Sequence, residues 1–146
     1  MHKGLEKLLR VFLIILGIYL IGDGAIHILN IRLQSVINVW PSSAIAYAKL
    51  LNAIYASFVF LVAILVLVAQ SDLKKYKSLI KASIIWAIFH GLLMIYLSTT
   101  LDFMNSFSHH SSLYVWMPFY NQYLFFEAFL TIIYCLLVFL WVRQQK

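Results

Sequence analysis

Cysteine is almost missing from this chain. The one residue, Cys135, among 146 excludes any disulfide within the chain and any Cys-x-x-Cys pair for zinc or thiol exchange. Acidic residues are nearly as scarce, five against eleven Lys and Arg. Charged residues reach only 11%, where a soluble domain carries about a quarter. There is no Gly-x-Ser-x-Gly turn and no glycine loop able to cradle a phosphate, which removes the common hydrolase and nucleotide-binding signatures. A lipid anchor is not expected. The net charge of +6 comes without a dense basic face or a nucleic-acid motif, so nucleic acid is not an expected partner. What fills the chain is apolar, with 64% hydrophobic residues. A water-soluble fold of this size would expose large apolar patches, which mark lipid or protein contact or else aggregation. Lipid is the solvent that removes the difficulty.

A bilayer core about 30 Å thick needs about 20 helical residues to cross it. Four segments meet that length, at 8–29, 43–69, 79–98 and 122–142. Helices are required because every backbone amide in hydrocarbon must find a partner within its segment or in a closed barrel. The alternating stretches of a barrel are absent. The predicted fold is therefore an all-α membrane protein, a four-transmembrane-helix antiparallel bundle occupying residues 1–146 as a single domain. Lys3, Lys7 and Arg10 ahead of the first apolar run resemble a signal peptide, but apolar character resumes beyond Gly22-Asp23-Gly24, so a retained signal anchor is expected.

Positive charge sets the direction. Lys3, Lys7, Arg10, Lys74, Lys75, Lys77, Lys81, Arg143 and Lys146 are nine of the eleven Lys and Arg residues, and all fall on one side of a four-span chain. That side is cytoplasmic, with both termini inside. The short basic turn after the second span predicts that the second and third helices are antiparallel neighbours. The two outer connections, 30–42 and 99–121, carry Trp40, Phe103, Tyr114 and Trp116 among other aromatics, which suit the headgroup level. They are expected to lie over the bundle mouth.

Ionisable groups inside a span are costly, and usually face the bundle interior as paired or functional residues. Each span has at least one polar residue of this kind: Asp23 and His27 in the first, Lys49 and Asn52 in the second, His90 in the third, Glu127 in the fourth. Asp23 and His27 are four apart and Lys49 and Asn52 three apart, so each pair shares a helix face. Tyr123, Glu127, Thr131 and Tyr134 form a polar stripe on the fourth helix, and Trp86, His90 and Met94 a stripe on the third. Gly91 beside the histidine invites close approach of another helix. Counting at about 1.5 Å per residue puts Asp23, His27, Lys49, Asn52, His90 and Glu127 in the outer half.

Two readings follow. In one, Lys49 and Arg32 neutralise Asp23 and Glu127, and the polar residues only fix helix register. In the other, Asp23, His27, Lys49, Asn52, His90 and Glu127 line a ligand-binding pocket, with Asp23, His27, His90 and Glu127 as candidate metal ligands. Proton handling by a histidine beside a carboxylate belongs to the same pocket. Haem on His27 and His90 is disfavoured by their different depths. His109 and His110 could hold a metal at the surface or simply be solvated. The cofactor is not specified by any motif, and Cys135 reads as a small buried hydrophobe.

The stretch LRVFLIILGIYLIGDGAIHIL, residues 9–29, resembles the first helix of the DoxX-like small four-helix membrane proteins. Arg10, Gly17, Gly24 and His27 carry the likeness, together with length and span number. Lys49 stands where an acidic residue is common in that family. The resemblance implies a small prokaryotic inner-membrane protein, an accessory or assembly subunit linked to redox metabolism in a larger membrane complex.

Overall fold

The computed structural model describes residues 2–31, 40–100 and 117–144. Those residues form four helices, α1 (His2–Ile28), α2 (Ser42–Ser71), α3 (Lys77–Thr100) and α4 (Met117–Gln144). All four are long and apolar enough to cross a membrane. The shortest has 24 residues, and at about 1.5 Å per residue it exceeds the ~30 Å hydrocarbon core. Each helix runs past at least one limit set by its apolar run, because Lys, Ser and Gln continue a helix readily once it reaches water.

The helix ends have local causes. Asn30 takes the left-handed conformation, φ 53°, and its N–H donates to the His27 carbonyl at 3.0 Å, closing α1. Pro41 precedes α2, and its carbonyl accepts from Ile45 N–H at 3.1 Å. In the turn after α2, Lys75 N–H donates to Asp72 Oδ1 at 3.0 Å, and Lys75 Nζ lies 5.5 Å from the Tyr76 ring centre. Arg10 reaches across from α1 and donates to the carbonyls of Gln70 at 2.7 Å and Ser71 at 2.9 Å. Those are final carbonyls of α2, which have no partner within the helix. Glu6 holds the guanidinium from the other side at 2.9 Å.

Packing is extensive between α1 and α2 and between α3 and α4, and slighter between α1 and α4. The expectation that α2 and α3 pack as neighbours is corrected here. The turn holds their ends together, where Ala69, Leu73 and Ile80 share one cluster, but each helix spends its contact surface on another partner. The reason is side-chain size. A Cβ on Gly17 of α1 would come within 2.6 Å of Leu67 of α2, and one on Gly91 of α3 within 3.4 Å of Thr131 of α4. Small residues let backbones approach closely in lipid, where association depends on packing and hydrogen bonds because lipid tails are as apolar as leucine. The Gly22-Asp23-Gly24 triplet makes no break, since α1 runs through it.

The buried core sits toward the two termini and the 72–76 turn. It is built from Leu9 and Leu13, Ile80 and Ala87, Val138 and Trp141 together with the α2 end. Most other large apolar side chains face outward, including Phe58, Ile85 and Phe89, as a lipid-facing surface requires. The connections expected to cover the bundle mouth, and with them Arg32, His109 and His110, lie outside the described residues.

Candidate functional site

Adjoining the core, the four helices enclose a cavity of about 410 Å³, within the range of small-molecule pockets. Every helix contributes polar groups to it: Tyr19 and Asp23 from α1, Tyr55 from α2, His90 from α3 and Glu127 from α4. The remaining walls are mostly apolar and aromatic, with the hydroxyl residues Ser83, Thr131 and Tyr134 among them.

Glu127 is the centre of the first group. Tyr19 and Tyr123 both donate their hydroxyls to Glu127 Oε1 at 2.6 Å, and the two hydroxyls also touch each other. Tyr123 stands four residues before Glu127 on α4, and Tyr19 arrives from α1, so this triad is the polar link between the two helices. The second oxygen, Oε2, points to His90 Nε2 at 3.9 Å, too far for a hydrogen bond. The His90 ring stacks on Trp86, centroids 5.0 Å apart and 12° from parallel. Thr131 continues the stripe with its hydroxyl on the Glu127 backbone carbonyl at 2.8 Å. Tyr134 reaches the Ser83 hydroxyl across the α3–α4 contact.

Asp23 is the centre of the second group and is 6% exposed. Tyr55 donates to its Oδ2 at 3.1 Å, and His27 Nε2 lies 3.8 Å from Oδ1. On its other side His27 Nδ1 meets Asn52 Oδ1 at 3.2 Å, while Asn52 Nδ2 donates to Asn30 Oδ1 at 3.2 Å. Since the Asn52 oxygen can only accept, Nδ1 of His27 carries the proton in this network. The ring of His27 rests against Tyr55, with centroids 4.5 Å apart. The network stitches α1 to α2 beside Gly24, where an added Cβ would come within 3.2 Å of the Phe60 ring.

Of the six residues singled out from sequence, Asp23, His90 and Glu127 line the cavity. His27 and Asn52 are not among the lining residues: His27 stands beside Asp23, and Asn52 on the far side of His27. Lys49 is exposed, and among the described residues it forms no ion pair with either carboxylate. The four candidate metal ligands divide into two pairs, His27 with Asp23 and His90 with Glu127. Among the described residues no three His, Cys, Asp or Glu gather closely enough for one ion. Cys135 packs against the core.

Two functional side chains escaped the sequence reading, Tyr19 and Tyr55. A signal existed: Tyr19 precedes Asp23 by four and Tyr55 follows Asn52 by three, which places each on the polar face of its helix. No family model, curated protein or solved structure matches the chain.

Proposed function

We propose that this multi-pass protein binds a small organic molecule in the cavity of its outer half, as a single antiparallel bundle in a prokaryotic cytoplasmic membrane with both termini inside. Sidedness is supported by charge, since nine of eleven Lys and Arg lie near the termini and the 72–76 turn. The antiparallel arrangement is supported by residue pairing. Arg10 meets Gln70 while His27 meets Asn52, and Ser83 meets Tyr134 while His90 meets Glu127.

One observation carries the binding reading. Glu127 Oε2 faces an apolar cavity and accepts no hydrogen bond from any described residue, although its sister oxygen accepts two. An acceptor left unfilled in hydrocarbon costs free energy, and a ligand donor removes the cost. Asp23 and His90 bring further polar contact, and Tyr19 orients the carboxylate. An organic ligand is favoured over a metal because the histidines and carboxylates divide into two separate pairs.

The DoxX-like resemblance favours a second reading, an accessory subunit of a larger and redox-linked membrane complex whose polar groups only set helix packing. Native mass spectrometry of the full chain released from lipid nanodiscs separates the two. A retained small-molecule mass that disappears in Glu127→Gln is the result expected for the binding reading. An empty chain attached to a larger protein would establish the accessory reading instead.

A further inference from the structure

We infer that the cavity takes a lipophilic cation, one ammonium-type centre on a bulky apolar body, entering sideways from the bilayer between α2 and α3. The inference rests on the binding reading above and names the ligand class for that site.

Charge comes first. The cavity wall contains two carboxylates, Asp23 and Glu127, and no Lys or Arg among the described lining residues. Asp23 already has Tyr55 and His27 beside it. Glu127 has spent one oxygen on two phenols and turns Oε2 to the cavity, where its one neighbour among the described residues, His90 Nε2 at 3.9 Å, stands beyond hydrogen-bond reach. An anionic ligand would meet two like charges there. A neutral alcohol could donate to Oε2 but would bring no counter-charge, in a medium where charge without a close partner is expensive. An ammonium group answers both needs at once.

The walls suit the same chemistry. Tyr19, Tyr55, Phe58, Trp86 and Phe89 line the cavity, and aromatic faces attract a cation within about 6 Å of the ring centre, more strongly when water is excluded. Leu16, Leu20, Val59, Val62, Val66 and Leu130 supply much of the remaining wall, which calls for an apolar body behind the charged centre.

The way in follows from packing. Extensive helix contact joins α1 with α2, α3 with α4 and, less so, α1 with α4, leaving the α2–α3 side without it. Residues of that side line the cavity and are exposed as well: Phe58 at 65%, Trp86 at 51% and Phe89 at 66%. Side chains that are both wall and outer surface mark a mouth, and this mouth opens on the lipid-facing flank of the bundle.

The test uses the full chain in nanodiscs of zwitterionic phosphatidylcholine and three probes sharing one body: 1-adamantylmethylamine, 1-adamantylmethanol and adamantane-1-carboxylate. Calorimetry is referenced to empty nanodiscs, which removes partitioning into lipid. The amine is expected to bind one to one and at least about tenfold more tightly than the alcohol, with no binding of the carboxylate. Glu127→Gln keeps an acceptor for the two phenols and removes the charge, so the amine should fall to within about threefold of the alcohol. Circular dichroism reports whether that variant folds, and if it does not, the ranking of the three probes on the unaltered chain decides. Equal binding of amine and alcohol overturns the cation while the binding reading survives. Binding of none overturns both. Entry is read separately by fluorescence quenching, taking the difference between the unaltered chain and Trp86→Phe. Acyl-chain-brominated lipid should quench Trp86, and the amine should relieve the quenching. Quenching by aqueous acrylamide alone would contradict lateral entry.

Discussion

The two halves of the bundle use the same four helices in opposite ways. Toward the termini and the 72–76 turn, Leu9, Leu13, Ile80, Val138 and Trp141 pack between the helices and are nearly or fully buried, with a smaller cavity of about 150 Å³ beside Leu13 and Ile80. Farther along, the centre passes to Tyr19, Asp23, Tyr55, His90 and Glu127, which line a larger cavity. In lipid, burying an apolar side chain brings little of the gain it brings in water. The closed half is therefore held by contact density and by the Arg10 clamp, and the open half by hydrogen bonds between long polar side chains. A bundle built this way can keep a cavity at one end because the other end maintains the assembly.

That contrast can be broken in order of expected effect. Trp141→Ala in the closed half should be the most damaging change, costing about 2–3 kcal/mol, chiefly for the cavity left behind because the transfer share is small in lipid, read as a lower midpoint in denaturant titration of the protein in mixed micelles. A loss below ~1 kcal/mol would show that the closed half is not what maintains the bundle. Val62→Phe acts in the other direction. Val62 lines the cavity, so filling it should weaken probe binding by at least about tenfold while changing stability by less than ~1 kcal/mol, since a filled void costs no packing. Equal loss of stability and binding would mean that the cavity is already tightly packed.

The sequence reading reached the number of helices, their apolar surface and the inward placement of Asp23, His90 and Glu127, though not of His27, because each rests on one strong rule: the length needed to span lipid, or the expense of an ionisable group within it. Pairing between helices was less legible. A short turn suggested that α2 and α3 pack together, but close approach depends on where small residues face large ones, as Gly17 faces Leu67 and Gly91 faces Thr131. Those matches join positions far apart in sequence. Lys49 misled for a related reason: its sign suited the carboxylates, but its place on α2 turns it outward. Tyr19 and Tyr55 were passed over because tyrosine in a membrane sequence reads first as an interfacial aromatic, and only the partner helix reveals its hydroxyl as a donor.

Smaller perturbations sharpen the contrast further. Arg10→Ala releases two carbonyls at the end of α2, with an expected cost of about 1–2 kcal/mol for a partly exposed charged hydrogen bond. Amide hydrogen exchange should rise at the 70–76 segment and remain unchanged around Asp23. Tyr19→Phe removes one of two donors to Glu127 Oε1. It should cost only about 0.6–1 kcal/mol, the usual scale for hydrogen bonds between membrane helices, while altering probe affinity more than Arg10→Ala does. The reverse ranking of the two variants in binding would place the working part of the molecule in the wrong half.

Glu127 offers the most direct test of the cavity's purpose, because the chain contains only two glutamates, Glu6 and Glu127. With the glutamate side-chain carboxyl labelled with carbon-13, the protein in lipid gives two carboxyl resonances in solid-state magnetic resonance, and Glu127→Gln assigns them. On addition of 1-adamantylmethylamine the Glu127 signal should shift and the Glu6 signal should stay in place. A Glu127 signal that does not move while the amine binds would contradict the account.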